Sequence, residues 1–154
     1  MATITAKNYG IANSIGGKMQ TLPEANSQSF AVNHMVVDTA GTAVAVATDA
    51  VKIKGFALKA ATNVTSGNTD ILIFIPGPRS TFWLQVINNV TPCAGSASYL
   101  GVKYGLTVTG GVCYFDYNDT TNLAVSVIRL HPDDAHTDTN PRYECALLES
   151  VLQS

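Results

Sequence analysis

Five consecutive apolar residues, Ile71-Leu-Ile-Phe-Ile75, run straight into Pro76-Gly77-Pro78. Proline cannot continue a hydrogen-bonded ladder, so the run reads as a short strand with a hard stop. Its unbroken apolarity calls for burial on both faces. The stretch before it, Asp49-Ala-Val-Lys-Ile-Lys-Gly-Phe-Ala-Leu-Lys59, reads as its partner, joined through the polar turn Asn63 to Asp70. Val51 and Ile53 alternate with Lys52 and Lys54, the period of a half-buried strand. After Gly55 the phase changes, and Phe56 and Leu58 fall on the lysine side. Either both faces become covered there or a bulge at Gly55 re-aims the strand, and the run at Ile71 favours cover. This hairpin is expected at the centre of a closed or two-layered β structure.

The rest of the chain supplies further strands. Val32 to Val37 and Thr42 to Ala47 flank the turn Asp38-Thr-Ala-Gly41, and Thr81 to Ile87 places Phe82, Leu84 and Val86 opposite Trp83, Gln85 and Ile87. A long loop of small residues, Asn88 to Ser98, leads to one helical turn near Ala97 to Leu100. Tyr104 to Thr109 and Val112 to Tyr117 flank Gly110-Gly111, a strong hairpin signal. Leu123 to Leu130 and Arg142 to Leu147 complete the set, with Tyr143, Cys145 and Leu147 on the inward face. Short strands at regular spacing, with no long amphipathic helix, predict an all-β fold: a single small β-barrel or sandwich over residues 30–154. Residues 1–29 are polar and broken by Gly16-Gly17 and Pro23, and are expected to form an extended N-terminal arm with at most short strands. Such an arm orders along a partner or is simply a loosely packed terminus.

Charged residues make up 13% of the 154-residue chain, about half the ~25% usual in soluble domains. Either part of the surface meets other protein, or Thr, Asn and Ser supply a neutral exterior. The net charge of −2, with no basic run, argues against a direct nucleic-acid ligand. No apolar stretch approaches the ~20 residues of a membrane span, and the first residues lack the pattern of a signal peptide. Cys93, Cys113 and Cys145 are too few and too far apart for a disulfide framework or a Cys-x-x-Cys metal knuckle.

Reaction chemistry is hard to assemble. His131, Asp133, Asp134, His136 and Asp138 share one loop and are all able to ligate a metal, but their spacing fits a solvated turn better. Asp116, Asn118 and Asp119 lack the glycine and terminal glutamate of a calcium loop. His34 reads as a structural histidine. There is no Gly-x-Ser-x-Gly elbow and no phosphate-cradling glycine loop. Cys113 and Cys145 read as buried, leaving Cys93 as the one candidate thiol. Asn63, Asn89 and Asn118 open glycosylation triplets, read as chance in an Asn/Thr-rich chain. Phe82, Trp83 and Tyr99 form either a sugar-stacking platform or core and subunit contacts. The expectation is no enzyme, no cofactor and no metal.

From Phe30 onward the order of elements resembles the head decoration, or capsid cement, proteins of tailed bacteriophages. The likeness rests on Thr48-Asp-Ala-Val-Lys-Ile-Lys-Gly-Phe-Ala-Leu58, Thr65-Ser-Gly-Asn-Thr-Asp70, Tyr99-Leu-Gly-Val-Lys-Tyr-Gly-Leu106, Asp119-Thr-Thr-Asn122 and Asn140-Pro-Arg-Tyr143. The resemblance implies a β-barrel or β-tulip-like domain on the outside of an icosahedral shell. It implies assembly in the host cytoplasm, commonly as a homotrimer, with the major capsid protein as partner. The contacts expected on this reading are Ile4, Tyr9, Ile11 and Ile15 in the arm, and the loop from Pro92 through Ser96 to Ser98. Other readings of the same β composition are a tail-tube or fibre-associated domain, or a glycan-binding module centred on Trp83.

Overall fold

The computed structural model describes residues 10–66 and 68–153, and they form an all-β domain. The strands are β1 (Gly10–Asn13), β2 (Lys18–Pro23), β3 (Met35–Thr39), β4 (Thr42–Ala45), β5 (Gly55–Ala57), β6 (Asp70–Ile75), β7 (Thr81–Ile87), β8 (Lys103–Thr109), β9 (Val112–Asp116), β10 (Val125–Leu130) and β11 (Arg142–Leu147). Short 3₁₀ turns lie at Ala97–Tyr99 and Glu149–Val151.

Five strands close a barrel in the order β7-β11-β10-β8-β9, sealed by a parallel pairing of β9 with β7 from Gln85↔Tyr114 to Ile87↔Asp116. Strand β1 lies along the first half of the same β7 edge, with Ile11 opposite Phe82. The second sheet has the order β2-β6-β5-β3-β4. It curls until its end strands meet at a parallel bridge between Glu24 and Ala43.

Period-two alternation splits the second sheet between two cores. Met35, Phe56 and Phe74 face the barrel and join one core with Phe82, Leu84, Leu106, Phe115 and Tyr143. Their neighbours Val36, Ala57 and Ile73 face the other way and pack with Leu22, Phe30 and Ile71. Phe56 meets Phe82 across the layers with ring centroids 4.8 Å apart. Burying each such side chain is worth about 1.5–3 kcal/mol. The two-faced burial expected of the Ile71 run therefore holds for Ile71, Ile73 and Phe74, whereas Leu72 stays 41% exposed.

The strand expected from Asp49 is shorter than its alternation promised. Only Gly55–Ala57 is strand, Val51 is 50% exposed and Lys54 is buried. Asp49 adopts a left-handed φ of +63°. Ile53 then pairs with the chain's end, its N–H donating to the Val151 carbonyl at 2.7 Å and its carbonyl accepting from Gln153 N–H at 2.9 Å. The lysine alternation thus belongs to a crossing segment rather than to a ladder. Gly55 is a point of close approach: a Cβ there would lie 2.1 Å from the Phe74 carbonyl oxygen, which explains the glycine without a bulge.

Other expectations meet the structure closely. The β3–β4 hairpin turns at Ala40 and Gly41, both with positive φ, and β8–β9 turns at Gly110 and Gly111, with φ of 59° and 74°. Two successive positive φ values are what a tight hairpin requires. The expected extended arm is corrected over residues 10–29, which supply β1 to the barrel side and β2 to the second sheet. Strand β2 escaped notice because Lys18, Met19, Thr21 and Pro23 all face solvent and Leu22 alone is buried. Residues 1–9 lie outside the described part.

Candidate contact surface

The side chains with reactive potential are occupied in holding the fold. In the loop after β10, the Arg142 guanidinium donates to both oxygens of Asp134, at 3.1 and 3.0 Å, a bidentate pair that pushes Arg142 further above its usual value. Asp138 accepts from Ala135 N–H at 2.9 Å, and His131 Nδ1 accepts from Asp133 N–H at 3.1 Å. His136 Nδ1 sits 2.7 Å from the Tyr143 hydroxyl. Asp116 caps Asn89 and Asn118, and Asp119 caps Thr121 and Asn122. Among the described residues no three such groups converge into a metal site. Among them, too, no helix is long and apolar enough to cross a membrane.

The thiols are equally quiet. Burial, with Asp116 nearby, pushes Cys93 up to about 11. Burial takes Cys113 to about 12 against the opposing effect of the Met35 backbone, and burial with Glu144 nearby raises Cys145 strongly. A thiol in that range carries almost no thiolate at neutral pH. Cys113 does touch a histidine, His34, but burial raises the thiol and lowers the imidazole, so both oppose proton transfer to a thiolate–imidazolium pair.

The three aromatics considered as a sugar platform are separated. Phe82 lies in the core. Tyr99 packs at the barrel's end, stacked on Tyr117 at 5.2 Å and edge-on to Tyr104, Phe115 and Tyr143. Trp83 stays on the outer face, where Arg129 lies 5.4 Å over its ring and His131 meets it edge-on at 4.4 Å. Glu144, opposite Trp83 on β11, pairs with Arg129 and accepts from the Thr81 hydroxyl at 2.7 Å.

The expected contact residues divide as follows. Ile4 and Tyr9 lie outside the described residues. Ile11 is partly buried against the barrel core, so it belongs to the fold. Ile15, in the turn between β1 and β2, is 57% exposed. In the long loop Pro92 and Ser96 are half-buried and Ser98 is exposed. That loop is well fastened: Ser96 Oγ accepts from Ser98 N–H at 3.2 Å, and Ser96 N–H donates to the Tyr143 hydroxyl at 3.1 Å.

Sequence reasoning passed over the most informative surface. One rung of the second sheet runs Met35↔Phe56↔Phe74↔Met19. Its first three residues are buried between the layers, and its last, Met19, is 61% exposed. Leu72, opposite Thr21 in the next position of the same face, is open too. The inter-layer core thus runs out onto the surface along β2 and β6, with Ile15 just before β2. Beside it lies a groove of about 420 Å³ lined by Pro76, Pro78, Leu147, Leu148, Glu149 and Leu152, among others. The Ser80 hydroxyl, on the groove wall, donates to the Ile15 carbonyl at 3.1 Å and ties the two together. The sequence signals were there: a lone methionine in a polar stretch, and a Pro-Gly-Pro read only as a strand stop.

These features define a small all-β protein, a closed five-stranded barrel joined to a curled second sheet, with its apolar core opening to one margin. Compared with protein-family models, curated proteins and solved structures, the chain matches none.

Proposed function

We propose that this chain is a virion structural protein that binds the outer surface of an icosahedral phage capsid and stabilises it by clamping neighbouring shell subunits. The observation that carries the reading is the apolar margin at Ile15, Met19 and Leu72, in a chain with few charges to solvate it. A patch of this kind in a protein rich in neutral polar residues is what a docking face needs. The resemblance in element order supports the same partner, the major capsid protein, and assembly as a homotrimer.

The mechanism is multivalent. A trimer touching several shell subunits gains avidity through effective concentration even when each contact is weak. Binding the assembled lattice and not its free subunits stabilises the lattice by linkage. No step of this requires a reaction, a cofactor or nucleic acid.

The test is sedimentation of the purified chain with assembled shells and, separately, with unassembled shell protein. Co-sedimentation with assembled shells alone, saturating at a fixed ratio, is the expected result. Equal binding to free subunits would contradict clamping, and no binding to either would remove the shell as partner.

A further inference from the structure

We infer that the groove between the β6–β7 loop and the chain's last turn is the pocket into which the shell protein inserts an apolar side chain carried beside a lysine or arginine. This rests on the capsid-binding reading above. The groove has a volume of about 420 Å³, within the roughly 300–1,000 Å³ of clefts that take small ligands, so it has room for an apolar side chain. Its wall is built from Pro76 and Pro78 on one side and Leu147, Leu148 and Leu152 on the other. The Ser80 hydroxyl on its wall is already used: it accepts from Gly77 N–H at 2.9 Å and donates to the Ile15 carbonyl. The pocket therefore offers mainly apolar contact area, with Glu149 as its charged group.

Charge identifies the occupant. Glu149 is the one charged residue among those lining the groove, it is exposed, and none of the described residues gives it an ion-pair partner. An apolar anchor with an adjacent cation satisfies both features. An acidic segment would meet like charge, which costs affinity. Because the Ser80 hydroxyl holds the Ile15 turn against the wall, the pocket continues into the margin of Ile15, Met19 and Leu72. The anchor and the surrounding contact thus fall on one face, in the pattern of a central pocket with a wider, weaker rim.

The experiment compares the full chain with Ala146→Phe, a larger side chain at a residue that also lines the groove, and Glu149→Lys, which reverses its charge. Each is tested for binding to purified empty shells at low and high salt, after thermal unfolding shows that it folds. Both variants are expected to bind about tenfold more weakly or worse. The wild-type affinity is expected to fall with added salt while that of Glu149→Lys does not fall in parallel. Wild-type binding with both variants unimpaired would overturn the pocket assignment and leave the capsid reading standing. Failure of the wild type itself to bind shells would overturn both.

Discussion

The Cys113 thiol lies 3.8 Å from Nε2 of His34, and Nδ1 of the same ring lies 3.1 Å from the Gly111 carbonyl oxygen. A carbonyl can only accept, so Nδ1 carries the proton and Nε2 is left to accept from the thiol. His34 leads into β3 of the second sheet, and Cys113 and Gly111 belong to the β8–β9 hairpin of the barrel. The pair therefore fastens one layer to the other as a neutral, buried contact.

That arrangement sets a pH dependence. Burial lowers the His34 pKa from 6.5, so on acidification the unfolded chain takes up the proton first. The associated stability is complete above about pH 6.5 and is lost as pH falls through the lowered value. Denaturant midpoints measured from pH 7.5 downward are expected to drop in this window for the wild type, and His34→Gln is expected to lack that component. An identical pH profile in the variant would contradict the assignment.

Glu24 acts lower on the pH scale. It is fully buried, and its carboxylate accepts from the Thr62 hydroxyl, from Thr62 N–H at 2.8 Å and from Thr69 N–H at 3.3 Å. The Thr62 hydroxyl bond leads in holding its pKa below 4.5, against the opposing effect of burial. Its contribution is present above 4.5 and disappears as pH falls through the depressed value. Glu24→Gln is expected to unfold at lower denaturant at neutral pH, and to show a shallower acid transition. Amide exchange should find the 61–69 loop loosened first.

Between the layers the cost of truncation is larger. Phe56→Ala removes the ring that meets Phe82 and leaves a cavity at the joint of barrel and sheet, so a loss of about 3–5 kcal/mol is expected by chemical denaturation. Tyr143→Phe is milder. It removes the hydroxyl that accepts from Ser96 N–H and contacts His136, for about 1–2 kcal/mol, and is expected to raise the mobility of the Pro92 to Ser98 loop while the barrel stays intact.

Deleting residues 2–29 is expected to abolish folding. The deletion removes β1 from the edge of β7 and β2 from β6, and with β2 it removes Leu22 and the Glu24 closure of the second sheet. Circular dichroism and thermal unfolding of the truncated chain check this. A cooperative β transition in the truncated chain would mean that the first two strands are dispensable.

How much of this was legible depended on how clearly each strand showed its alternation. Strand β11 could be read directly because it buries one clean face, with Tyr143 and Cys145 inward, and the β8–β9 hairpin because Gly110-Gly111 marks its turn, although both faces of β8 and β9 are largely buried. Strand β2 could not, since Leu22 is its one buried side chain. The lysine alternation at Val51 to Lys54 misled, because those residues cross between layers and pair with the chain's last turn, a long-range contact that no local pattern reports. The surface was harder still. Ile15 was visible as an isolated apolar residue, but Met19 gains meaning only from its rung with Phe74, and the groove only from Leu147 and Leu152 arriving beside Pro76 and Pro78. Phe82 and Tyr99 looked like partners of Trp83 until the fold placed Phe82 in the core and packed Tyr99 against it among other tyrosines, away from the Trp83 face.

The central claim, that the chain is a shell-stabilising capsid component, is tested most directly by counting it against the shell protein in purified particles of its source and heating particles with and without it. The account predicts a copy number comparable to the shell protein and release of contents at lower temperature from depleted particles. A few copies per particle, or unchanged heat resistance after depletion, would contradict it.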